Sequence, residues 1–248
     1  MKIQAFVFNW VGHEENAAAL ERQLRELCSV EVINSDSTVE GRHPAWRHIG
    51  DEAYFTAQWN KALDLFDADV LFHIQADASF TRFAEMFERC RFAMCELGCG
   101  IYAPNVDHTY WTFDRTRLKT IDADLFEVPH TDDTCWAIAR AVLERAPRID
   151  STVNALGWCV DWMVTVAARI LQKKVVRDYR FTVEHPRGTG YNTEIARREA
   201  QAVLDRVPAE FREMYHLVRR EAEVARTRSV WERYYVLFQQ LKSLMGWR

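Results

Sequence analysis

The segment running from Asp69 to Phe80 constrains this chain more than any other. It opens on a short, almost wholly apolar run, Val70-Leu71-Phe72-His73-Ile74. That is the pattern of a strand buried on both faces of a parallel sheet. The run stops at Gln75 and Asp77, which share one side of an extended segment because strand side chains alternate with period two. A carboxylate just past the C-terminal end of a central parallel strand lies where open α/β sheets bind ligands. There Asp77 could hold a hard divalent cation, and through it a diphosphate. A strand followed by an ordinary polar turn would read the same way, so the remainder of the chain has to decide.

At 248 residues the chain is sized for one large domain, or one domain and an appendage. Its net charge of −4 gives no overall basic signature for nucleic acid, though a local basic groove is compatible with it. Six cysteines without a CxxC pair point to a reducing compartment rather than a disulfide scaffold. Cys90, Cys95 and Cys99 match no zinc spacing. The apolar start, Ile3 to Phe8, is too short for a signal peptide, and no stretch approaches the roughly 18 apolar residues of a membrane span. The expectation is a soluble, cytoplasmic protein.

Ile3 to Asn9 reads as a first buried strand, and Ala17 to Leu27 as a helix with Asn16 as its N-cap. Val30 to Ile33 is a second strand, ending in Asn34-Ser35-Asp36-Ser37-Thr38. This β-loop-α-β opening brings Asn9 and the Asn34–Asp36 turn to one edge of a parallel sheet. Helices are expected over Ala53–Leu65, Phe83–Leu97, Cys135–Glu144 and Trp162–Leu171. Strands are expected over Gly100–Pro104, over Tyr110–Leu118 and around Lys174–Val183. From Thr193 the pattern is helical, with Pro208 dividing it. A closing stripe of Trp231, Tyr234, Tyr235, Phe238, Leu241 and Leu244 has helical spacing.

Set in order, several segments resemble the family-2-type glycosyltransferases of the GT-A fold. Phe8-Asn9-Trp10-Val11-Gly12 resembles the family's first strand end, and Ile33-Asn34-Ser35-Asp36-Ser37-Thr38 its second. Phe55 to Leu63 is similar to the helix that carries A-x-x-N-x-G-L. Ile74-Gln75-Ala76-Asp77 falls at the D-x-D, Leu156 to Trp162 at the G-W-x-x-D segment, and His185 to Thr189 at the H-x-R-G-T segment. Gln75 replaces the first acid of the D-x-D, and Val160 replaces an acid that usually precedes Asp161.

The resemblance implies an α/β, GT-A-like domain, roughly residues 1–192, with a Rossmann-like, mostly parallel central sheet flanked by helices. A helical C-terminal appendage, 193–248, follows. It implies transfer of a sugar from a nucleotide-sugar donor, foremost a UDP-sugar, to a glycan, lipid-linked or other hydroxyl acceptor, inverting and assisted by Mn²⁺ or Mg²⁺. Asp77 and His185 form the expected metal pair, an oxygen and an imidazole whose shell phosphate oxygens would complete. Asn9, Asn34, Asp36, Gln75, Asp77 and Arg187 are the donor-side candidates. Arg187, with Gly188 and Gly190, suits a cationic loop closing on a diphosphate. Asp161 is the candidate general base, and helix N-terminal charge is its ordinary alternative. Trp136, Trp158 and Trp162 are candidate sugar platforms, although nine tryptophans make core packing the default for each. Asp132 and Asp133 belong to an acceptor-side loop or a solvated turn. The closing aromatic stripe suits packing on the domain or a second subunit, or contact with a membrane surface. Two other functions stay open: an inactive glycan- or nucleotide-binding module, and a sugar-phosphate nucleotidyltransferase. Against the latter, Val11 to Glu15 is acidic where a basic, glycine-rich loop is usual.

Overall fold

The computed structural model describes residues 1–51, 53–107, 116–186 and 191–244, with side chains through Thr227 in the last helix. Among these, nine strands make one mixed sheet. They are β1 (Ile3–Trp10), β2 (Ser29–Ser35), β3 (Arg47–His48), β4 (Val70–Gln75), β5 (Cys99–Val106), β6 (Lys119–Thr120), β7 (Leu125–Glu127), β8 (Cys135–Ala139) and β9 (Lys174–Val183). The order across the sheet is β3-β2-β1-β4-β8-β5-β9-β7-β6. Strands β3, β2, β1 and β4 run parallel, as do β5 and β9. Strand β8 runs antiparallel to both its neighbours, β4 and β5. The sheet is thus mixed, with most of its strands sharing one direction and β7 and β8 reversed.

Period-two alternation sorts side chains into two cores. Ala5, Val7, Phe72 and Ile74 face one side, where helices α1 (Glu14–Arg25) and α3 (Phe83–Cys95) cover them. Phe6, Phe8, Leu71 and Trp136 face the other. That side is covered by α2 (Phe55–Leu65), α4 (Arg140–Arg145) and α5 (Val160–Ile170). Each fully buried large apolar side chain stabilises the fold by about 1.5–3 kcal/mol.

Helices α6 (Thr193–Arg206) and α7 (Ala209–Leu244) break on either side of Pro208, as the sequence predicts. Val203 and Leu204 of α6, and Phe211, Tyr215 and Val218 of α7, enter the second core, and α7 packs against α5. No helix among the described residues is long and apolar enough to cross a membrane.

Two local expectations are corrected. Cys135 to Ala139 is strand β8, and the helix begins only at Arg140. Its five residues are an apolar run with no polar face, which periodicity cannot assign between strand and buried helix. Asn16 is not an N-cap; it lies inside the first turn of α1, and His13 is the capping position. The strand expected over Tyr110–Leu118 lies largely outside the described residues.

Candidate active site

Topology gathers the candidate site residues at one sheet edge. Strands β1, β2, β4, β5 and β9 all end there, because they share one direction. Strand β8 is reversed, so its beginning, not its end, arrives at that edge. The Gln75 N–H donates to the carbonyl of Thr134 at 3.0 Å, which docks the Pro129–Thr134 segment beside the end of β4.

Asp77 follows β4 and His185 follows β9. A two-stranded bridge joins them: Ser79 N–H donates to Glu184 O at 2.8 Å and Glu184 N–H to Ser79 O at 3.0 Å. The His185 N–H also donates to Asp107 Oδ1, at the end of β5, at 2.9 Å. The bridge brings His185 Nε2 to 3.4 Å from Asp77 Oδ2. Asp77 Oδ1 and His185 Nδ1 are buried without a hydrogen-bond partner among the described residues. Burial raises the Asp77 carboxyl above its ordinary range, while the His185 and His13 imidazoles pull the other way. A desolvated carboxylate oxygen and an imidazole with open coordination sites fit a hard divalent cation whose remaining ligands come from phosphate. Gln75 is half-buried at the end of β4. Arg187 lies outside the described residues.

Beside this pair sits a second cluster. Asp161 lies in the first turn of α5, and its Oδ1 accepts the N–H of Trp162 at 2.8 Å. Its Oδ2 lies 3.0 Å from His130 Nε2. The His130 ring stacks on Trp162, with centroids 4.0 Å apart and planes 18° apart. Asp132 Oδ1 accepts the Thr134 N–H at 3.1 Å. Arg177, buried in β9, donates to Thr131 Oγ1 at 3.0 Å and approaches Asp132 Oδ2 at 3.9 Å. Asp133 is held well above the ordinary carboxylate range, first by desolvation and then by the carboxylates of Asp161 and Asp132.

The turn before α5 fixes this geometry. Gly157 has φ +87°, and a Cβ there would lie 2.4 Å from Phe55 Cδ1, so glycine is required on two counts. Cys159, with φ 90°, holds a left-handed conformation that costs a non-glycine residue of order 1–3 kcal/mol. The Asn154 side chain accepts the Gly157 N–H at 2.7 Å and donates to Trp158 O, over-determining the turn.

Several sequence-named residues are corrected. Trp136 is fully buried and packs on Trp59 with ring centroids 5.6 Å apart, so it has no face for a sugar. Trp162 is buried between His130 and Tyr215. Trp158 alone of the three is half-buried at the surface, its Nε1 donating to Tyr191 Oη at 2.6 Å. Asn9 and Asn34 are fully buried, joined at 2.6 Å, and Asn34 also donates to Asp36 O at 2.8 Å. They shape the edge from beneath. Asp36 is buried too, its Oδ1 accepting the Thr38 N–H at 3.0 Å to cap the turn of residues 37–39. His130 and Arg177 were not singled out from sequence, and Asn16 was read there only as a helix N-cap.

This arrangement is the GT-A fold of nucleotide-sugar glycosyltransferases. No protein-family model and no curated protein matches the sequence. Among solved structures the chain is similar to glucosyl-3-phosphoglycerate synthase from Mycobacterium tuberculosis, in complex with Mn²⁺, UDP-glucose and phosphoglyceric acid. The TM-score is 0.57 at 13% identity, over 84% of this chain and 80% of that one. It is also similar to a mannosyltransferase from Pyrobaculum calidifontis in complex with GDP-Man and Mn²⁺, with TM-score 0.55 at 15% identity, over 100% and 81% of the two chains. A third neighbour is S. aureus TarS in complex with UDP-GlcNAc, with TM-score 0.55 at 13% identity, over 89% and 72%.

Proposed function

We propose that this protein is a glycosyltransferase that moves a sugar from a nucleotide-sugar donor to a hydroxyl acceptor, with a divalent cation on the donor side. The observation that carries the reading is the approach of His185 to Asp77 at 3.4 Å, at the same sheet edge as the Asp161–His130 pair. The complexes of the structural neighbours with nucleotide sugars, and in two of them with Mn²⁺, support it.

In this reading Asp77 and His185 hold Mn²⁺ or Mg²⁺, which when bound neutralises the departing diphosphate. Asp161 accepts the proton of the acceptor hydroxyl while the hydroxyl oxygen bonds to the anomeric carbon from the face opposite the departing nucleoside diphosphate, a single displacement that inverts the configuration. His130 holds the Asp161 carboxylate in place, and the buried His130–Trp162 stack limits its rotation. Asp133, whose environment favours its protonated form, is placed to donate a hydrogen bond rather than add a third charge to the cluster. Trp158, at the half-buried rim, offers a ring edge to an acceptor or donor sugar.

Donor hydrolysis and transfer measured over a panel of UDP- and GDP-sugars, with and without Mn²⁺, tests the proposal. Cation-dependent release of nucleoside diphosphate from at least one donor is expected. Tight nucleotide binding with no turnover of any donor would instead assign a binding module.

A further inference from the structure

Asn16 lies in the first turn of α1, far from the cation-side residues in sequence and outside every motif discussed above. Its side-chain amide reaches the segment that carries Asp77. Nδ2 donates to Ala76 O at 2.6 Å and to Ala78 O at 2.8 Å. These two carbonyls belong to the residues on either side of Asp77. One NH₂ group thus ties down the peptides bracketing a single carboxylate. An amide is the side-chain group suited to this, because it carries two donors on one nitrogen.

Three further bonds hold the same stretch. Ala76 N–H donates to Phe8 O at 2.9 Å, Ala78 N–H closes a turn onto Gln75 O at 3.1 Å, and Ser79 is bridged to Glu184. Ala76 and Ala78 are both fully buried. Asp77 Oδ1, in the middle of this stretch, is buried without a hydrogen-bond partner among the described residues. The backbone of Asp77 is therefore fixed before any ligand arrives. Groups that orient a cation ligand affect cation affinity nearly as strongly as the ligands do.

We infer that Asn16 is a positioning residue for the cation, acting through Asp77 without touching the ion. The inference rests on the proposed role of Asp77 and His185 as cation ligands. It identifies α1 as the element that presets the donor side.

The test uses the full chain and Mn²⁺ itself. Free Mn²⁺ is followed by electron paramagnetic resonance during titration, with and without UDP, for the wild type, Asn16→Ala and Asn16→Asp. Loss of an outer-layer partner typically weakens cation binding by about 10–100-fold. That loss is expected for Asn16→Ala, with an unchanged circular dichroism spectrum. Asn16→Asp keeps the shape but turns an oxygen toward two carbonyls, so it should bind Mn²⁺ no better than the alanine variant. Unchanged affinity in Asn16→Ala would overturn the inference and leave Asp77 intact as a ligand. Tighter binding in Asn16→Asp would also overturn it, by placing position 16 in contact with the cation. Failure of both variants to fold would make Asn16 a determinant of the fold instead. A wild-type chain that binds no Mn²⁺, with or without UDP, would remove the cation reading itself. The two failures are thus separable.

Discussion

Both oxygens of the Asp161 carboxylate are engaged, one by its own helix start and one by His130. Each oxygen carries two acceptor sites, so one remains on each, and either can take an acceptor hydroxyl. Asp161→Asn keeps the bond to the Trp162 N–H but removes the basic lone pair. Turnover should fall by about 10²–10⁴-fold, with donor affinity and melting temperature nearly unchanged. Steady-state kinetics beside thermal melting of the same variant checks this. Full activity in Asp161→Asn would move the base to Asp132 or Asp133. His73 offers a second residue-scale prediction. It is wholly buried in β4 against Phe8, Phe55 and Trp59, and neither ring nitrogen makes a well-formed hydrogen bond. Desolvation lowers its pKa to about 3, opposed by the Asp133 backbone. The unfolded chain takes up this proton near the ordinary value of 6.5, so folded stability is intact above that pH. It declines as pH falls toward 3, by a total approaching roughly 5 kcal/mol. His73→Phe should therefore lower the midpoint of acid unfolding followed by circular dichroism. An unchanged midpoint would show that other groups govern acid lability.

At the scale of elements, the turn before α5 is the most exacting. Gly157→Ala meets both a positive φ and the Phe55 ring, so it should destabilise the protein by roughly 1–3 kcal/mol. It should also slow turnover, because the turn aims α5 and Asp161. Denaturant melts and kinetics together check this; loss of stability with full activity would uncouple the turn from the site. The elements also show what a sequence carries. The approach of Asp77 and His185 was legible because each follows a strand, and strand direction then brings the two ends to one sheet edge. Strand β8 was not legible, since Cys135 to Ala139 has no polar face from which to read a period. Trp136 and Asn9 could be assigned to strands but not to a face, because the face depends on register with neighbours far along the chain. His130 acquires its role only through contact with Asp161, 31 positions away, and no local spacing encodes that.

At the scale of the whole molecule, the two cores and the single sheet place the Asp77–His185 pair and the Asp161–His130 pair on one continuous framework. The reversed strand at its centre has a consequence for how the chain is made. Strand β4 emerges from the ribosome long before β8, which must later insert between β4 and β5. Until then β4 is an open edge, apolar on both faces, and an unpaired edge of that kind invites association with other chains. A fragment comprising residues 1–107 should therefore aggregate, whereas one reaching residue 186 supplies the missing strand and should be markedly more soluble. Sedimentation of the two fragments after cell-free synthesis compares them directly. Equal solubility would mean that the nascent edge is shielded by some other part of the first 107 residues.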